Sequence, residues 1–158
     1  MFFGERAWIA CTTPVPKYPL AEGTQVKLKT QVRNAGRTPG VIVRQLTYVF
    51  LELEQEPLIA KRIEFAASQL EYAPAVEDVI APDAVIAYHT EVEENLLTEV
   101  NVARMNFGTA GLFVVVRFRY RDVSGQFHIT QECYKYDYWD KAFVGLNKWN
   151  QNGLVDSR

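Results

Sequence analysis

Ser124 and His128 stand four residues apart in Asp122-Val123-Ser124-Gly125-Gln126-Phe127-His128. A hydroxyl beside an imidazole is the start of a nucleophilic site. Such a site also needs an acid to orient the imidazole and donors for an oxyanion, and neither is legible here. The serines are Ser68, Ser124 and Ser157. None lies in a Gly-x-Ser-x-Gly elbow, and no glycine-rich phosphate loop follows a strand. The plainer reading is a turn serine and a surface histidine. Cys11, Cys133, His89 and His128 are zinc-ligand types, but His128 and Cys133 lie five apart on an extended segment and so point to opposite faces. Glu91, Glu93 and Glu94 form an acid run. A glycosidase needs two acids at fixed separation beside a sugar cleft, whereas acid runs near turns are ordinarily solvated. Asp137 and Asp140 carry calcium-type oxygens without EF-hand spacing. The expectation is therefore no catalytic residue, no cofactor and no metal.

Binding-type residues remain. Tyr134, Tyr136, Tyr138, Trp139, Phe143 and Trp149 crowd the C-terminal part of the chain. Tyr and Trp lose little entropy on binding and suit protein interfaces and sugar stacking alike. On a strand only every second ring faces inward, so half of them are expected to pack the tail onto the domain. Arg117, Arg119 and Arg121 form a stripe on one strand face. It reads either as an anion-recognising surface or as a solvated face paired with Glu132. The second reading is favoured by the charge balance of 17 basic to 19 acidic residues, which also gives no reason to expect nucleic acid. Cys11 and Cys133 are too few for a disulfide scaffold. They are read as two separate buried thiols or as one bridge joining the first and last strands.

The elements that must position these residues are strands. Val26, Leu28 and Val32 alternate with Lys27, Lys29, Gln31 and Arg33, the pattern of a half-buried strand over 24–34. The turn Asn34-Ala35-Gly36-Arg37-Thr38-Pro39-Gly40 follows. Residues 41–53 are apolar on both parities, which places that strand in the middle of the structure or gives it a bulge. Pro57, Pro74 and Pro82 break 55–82 into pieces, with 63–65 and 70–72 as candidate edge strands. Residues 85–92 read as another strand. The one helix is expected near 98–106, capped by Thr98, stopped at Gly108, with Val100, Ala103 and Phe107 on its apolar face. A hairpin over 111–136 turns at Asp122-Val123-Ser124-Gly125, with Tyr120 expected opposite Phe127, Phe118 opposite Ile129 and Val114 opposite Cys133. The tail, 143–158, is expected to pack back as irregular structure. About seven strands and one short helix give an all-β, two-sheet antiparallel sandwich, with a closed barrel second.

The 158 residues, 48% hydrophobic and 23% charged, have the composition of one ordinary folded domain. No apolar run reaches the length of a membrane span. The start, Met1-Phe2-Phe3-Gly4-Glu5-Arg6, lacks the features of a signal peptide, so the chain is expected to be soluble.

Three segments carry a family resemblance. Arg6-Ala7-Trp8-Ile9, then Asn34-x-Gly36-x-Thr38-Pro39, then Tyr120-x-Asp122-x-x-Gly125-x-x-His128-x-Thr130-x-x-Cys133 resemble, in order and spacing, a bacterial and phage family of immunoglobulin-like domains of unknown function. Members often stand behind one or two N-terminal transmembrane helices. The resemblance implies an immunoglobulin-like sandwich over 1–142, a place near a membrane and no known catalytic residues. It departs in the missing anchor, so association with a membrane would come through a partner or through an anchor outside this sequence. The expected function is a non-catalytic module or accessory subunit that docks another protein, such as a membrane complex. Docking would use the aromatic segment or an exposed sheet edge. Carbohydrate binding through the same rings is the alternative.

Overall fold

The computed structural model describes residues 6–155, so the signal-peptide reading of the first five residues and Ser157 lie outside the described residues. Along the chain run β1 (Ile9–Cys11), β2 (Val15–Pro16), β3 (Lys27–Asn34), β4 (Gly40–Leu53), α1 (Glu56–Gln69), β5 (Ala75–Ile80), β6 (Val85–Glu91), α2 (Glu99–Asn106), β7 (Ala110–Arg121), β8 (Phe127–Asp137), β9 (Ala142–Gly145) and β10 (Gln151–Val155). In one antiparallel sheet β3 is central, with β6 on one side and β1 and β2 on the other. The second sheet runs β5, β4, β7, β8, and both β9 and β10 pair with the far side of β8. The two sheets pack as the expected sandwich. No helix among the described residues is long and apolar enough to cross a membrane.

Alternation builds the core between the sheets. From β3 come Leu28 and Val32, and from β7 come Leu112, Val114, Val116, Phe118 and Tyr120. β4 is central over its first part and also bulged: its register slips between Ile42 and Arg44 against both β5 and β7. The extra residue puts Ile42 on the core face with Val49 and Leu51, while Phe50 and Tyr48 serve the opposite face.

That opposite face holds the largest departure from expectation. Residues 56–69 form α1, which lays Ile59, Ile63 and Ala66 over Phe50, Phe113, Val115 and Cys133. Residues 63–65 lie within this helix, and 70–72 form a 3-10 turn; neither is an edge strand. Pro57 occupies the first helical turn, where its missing N–H has no partner to lose. α2 matches its expected span, and the Thr98 hydroxyl accepts from Asn101 N at 3.2 Å. Its buried residues, however, are Val102 and Met105, while Val100 and Phe107 are exposed.

The β7–β8 hairpin is shifted by one residue from expectation. Tyr120 lies opposite His128, Phe118 opposite Thr130 and Val114 opposite Tyr134. Gly125, at φ 84°, takes the left-handed position that follows a type I turn in a three-residue loop, and Asp122 N bonds Gln126 O at 3.0 Å to close it. One added residue turns all of β8 over. His128, Thr130 and Tyr134 therefore share the core face of Phe118 and Tyr120, and Cys133 lies beneath α1. The tail is not irregular either. β9 returns along Tyr134–Asp137, and β10 along Phe127–Gln131.

Candidate functional site

Local backbone chemistry at one end of the sandwich sets a group of rings in the open. β8 ends at Asp137, whose Oδ1 accepts from the backbone N–H of Trp139 at 3.0 Å and of Asp140 at 3.2 Å. This Asx turn reverses the chain into β9 and leaves Trp139 at the hairpin tip, 79% exposed. Across from it, α2 ends at Phe107, 84% exposed. Between them lies a groove of about 520 Å³ with Met105, Val144 and Leu146 among its apolar lining and Lys135 and Asp137 among its polar lining. Lys135 forms an ion pair with Glu54. Tyr136 and Tyr138 separate this groove from a second one of about 500 Å³, bounded by the loop around Tyr18 and by Lys141. The two tyrosines meet edge to face, centroids 6.5 Å apart. Burial, then Tyr138 and Asp137, raise the Tyr136 phenol above its ordinary pKa. Tyr136 is thus a neutral wall between the grooves.

The six aromatic candidates separate. Trp139 is exposed, and Tyr138 is half-buried on both grooves. Tyr136 and Phe143 are buried against each other, centroids 5.2 Å apart. Tyr134 faces the core and donates to Glu132 Oε2 at 3.1 Å. Trp149 packs on the α1 side, and its carbonyl accepts from Gln131 Nε2 at 2.8 Å. Tyr134 and Trp149 are therefore part of the packing, because the shifted register and the added strands carry them inward or under α1. The site gains Phe107 and Tyr18 instead. Tyr18 is 63% exposed, and the sequence reading missed it, although Pro14, Pro16 and Pro19 around it favour an extended backbone.

The other candidates do structural work. Asp122 is the acid missing from the sequence reading of Ser124 and His128, but it stands between them. The Ser124 hydroxyl donates to Asp122 Oδ1 at 2.5 Å, and His128 Nε2 meets Asp122 Oδ2 at 2.7 Å. The serine contacts the acid rather than the imidazole, so the arrangement that generates a nucleophile is not formed. His128 is buried and stacks on Tyr120, centroids 4.9 Å apart. Among the described residues, no group of three His, Cys, Asp or Glu side chains is arranged to hold a metal.

The arginine stripe is real, but Glu132 faces the other side of the sheet. Arg117 Nη1 instead donates to the amide oxygens of Gln131 at 2.8 Å and Gln151 at 3.0 Å. Burial lowers its pKa. Arg119 lies over the Phe127 ring, 4.3 Å from its centroid, and Arg121 is exposed at the hairpin end.

Cys11 and Cys133 are free thiols. Cys11 packs against the core between the sheets and Cys133 beneath α1, so the turned-over β8 rules out the bridge. Burial first, then Glu132, push both up to about 12 from an ordinary 9.0. The thiolate is then about 1000-fold rarer than for a free cysteine. At about pH 8 neither thiol is expected to react with a disulfide reagent before the protein is unfolded. A rapid single-thiol burst from folded protein would contradict this placement.

No family model matches the chain, and no curated protein matches it significantly.

Proposed function

We propose that the chain is a non-catalytic binding module that docks another protein through the aromatic end of its sandwich. The observation that carries this reading is the exposure of Phe107 and Trp139 on opposite sides of one groove. Large rings held in water by a helix end and a tight hairpin fit the anchors of an interface. Met105, Val144 and Leu146 in the lining suit an apolar side chain better than the hydroxyls of a sugar, which favours protein over carbohydrate. In this reading the chain is an immunoglobulin-like domain of the bacterial and phage family it resembles. It serves as an accessory subunit or soluble domain of a membrane-associated complex.

The test is affinity capture from the native host in mild detergent, run side by side with the Phe107→Ser/Trp139→Ser double variant. Both rings are exposed, so the variant is expected to keep its unfolding free energy within about 0.5 kcal/mol of the parent. It is expected to lose the partner, at about 2 kcal/mol of binding per ring. A partner retained at full strength by the folded variant would end this reading. Ring-dependent binding to glycans instead would move it to carbohydrate recognition.

A further inference from the structure

β4 is fourteen residues long and β5 only six. Their pairing runs from Gly40 opposite Ile80 to Arg44 opposite Ala75. From Gln45 to Leu53, β4 pairs with β7 on one side. On its other side there is no strand among the described residues. In an antiparallel ladder alternate residues direct their N–H and C=O groups to opposite edges. About half of the backbone polar groups over 45–51 therefore face outward, in line with β5, without a ladder partner; the edge closes at Leu53, whose N–H donates to Glu52 Oε1 at 2.9 Å and whose carbonyl accepts from Gln55 N at 2.7 Å.

This edge is lined rather than bare. A groove of about 370 Å³ runs along Thr47 to Leu51, with Arg62 of α1 on one side and the segment from Thr90 to Leu96 on the other. Five residues of strand span about 16 Å, the reach of a short extended peptide. The flanking sheet is held beside it by Tyr88, whose hydroxyl donates to Asp78 Oδ2 at 2.7 Å and ties β6 to β5. The rim is acidic. Glu91, Glu93 and Glu94 line it and are exposed. Glu91 is 3.7 Å from Lys27, while Glu93 and Glu94 make no ion pair among the described residues. Arg62, the one cation in the lining, is engaged by Glu52 Oε2 and the Tyr48 hydroxyl, each at 3.2 Å.

We propose that the open edge of β4 receives an extended, lysine- or arginine-bearing segment of a partner polypeptide as an added strand. Unpaired ladder groups supply the backbone hydrogen bonds of strand addition. The uncompensated glutamates select a basic sequence. A second copy of this chain, laid edge to edge, would bring a second set of the same glutamates and is disfavoured by like charge. This surface is separate from the aromatic end and does not depend on it.

The probe is a blocked heptapeptide of alternating lysine and threonine, titrated into the full chain while backbone amide exchange is followed by NMR. Two control peptides accompany it, one with glutamate for lysine and one N-methylated at alternate backbone nitrogens. The lysine peptide is expected to bind and to slow exchange at every second amide over 45–51, and neither control should do so. Glu93→Lys/Glu94→Lys is expected to weaken binding about tenfold or more with an unchanged unfolding midpoint. The proposal is overturned by no binding of the lysine peptide, by equal binding of the glutamate peptide, or by protection elsewhere. It is equally overturned if the same amides become protected with rising protein concentration alone, which would assign the edge to a second copy.

Discussion

Replacing Asn34 with alanine is expected to destabilise the fold by about 3 kcal/mol and to lower the thermal midpoint by roughly 10 °C. The side chain is fully buried and uses its amide at both ends. Oδ1 accepts from Trp8 N at 3.1 Å and from Gly36 N at 2.9 Å. Nδ2 donates to Thr38 O at 2.8 Å and to Ile80 O at 3.1 Å. One residue thereby joins the chain entering β1, the β3–β4 turn and the end of β5. Alanine leaves backbone donors and acceptors without partners, and burial makes that expensive. Asn34→Asp is expected to recover little, because a carboxylate cannot donate to the two carbonyls. The neighbouring glycine admits the same crossing: a Cβ on Gly36 would lie 2.0 Å from Arg6 O and 2.6 Å from Trp8 N, so Gly36→Ala must push the first strand away. Urea unfolding reads both variants. A midpoint within experimental error of the parent for Asn34→Ala would contradict the account of this junction.

Asp122→Ala is expected to lose about 2–3 kcal/mol and to flatten the acid limb of the stability curve. Asp122 is buried in the hairpin turn and accepts from Ser124 N at 2.9 Å, Ser124 Oγ at 2.5 Å and Gln126 N at 3.1 Å, besides meeting His128. Burial works against the carboxylate. The bonds from Ser124, His128 and Gln126 outweigh it and hold the pKa below its ordinary 3.8. A depressed acid stabilises the fold above its unfolded pKa. That contribution fades as pH falls through the folded value, so the parent should lose stability below about pH 4 more steeply than Asp122→Ala. Equal slopes for the two proteins would show that this carboxylate is not held as described.

Both predictions fall on the segments that carried the family resemblance, and the structure gives those segments a physical reason. The Arg6–Trp8 stretch lies against Gly36 and Asn34. The Thr130 hydroxyl donates to Ile9 O at 3.1 Å, joining β8 to β1. Asp122 and His128 lock the hairpin. These side chains fasten backbone to backbone, so their types and spacing announce a fold more readily than a function. The sandwich, the bulged central strand and α2 were legible because alternation and a threonine cap are local signals. α1 was not, because a proline looks like a breaker in a single sequence, whereas the first turn of a helix accepts Pro57. The β8 register slipped because a single left-handed Gly125 adds a residue without changing the look of either strand.

The exposed rings were legible in part. The crowding of rings near the C-terminus includes Trp139, which is exposed, and Tyr138, which is half-buried beside it. Phe107 joins them because the end of α2 meets the β8–β9 hairpin in space, a contact between residues about thirty positions apart. Tyr134 and Trp149 are rings of the same kind, held inside by strand pairings that a single sequence does not display. The open edge of β4 leaves no mark in sequence, since it consists of a missing neighbour.

Amide hydrogen exchange on the partner complex captured from the native host, compared with the free chain, tests the docking claim most directly. The account predicts new protection over 105–111 and 135–146, the two sides of the aromatic groove, with the turn at 34–38 and the hairpin loop at 122–126 unchanged. Protection confined to those fastening segments, with exchange around Phe107 and Trp139 unaltered, would contradict it.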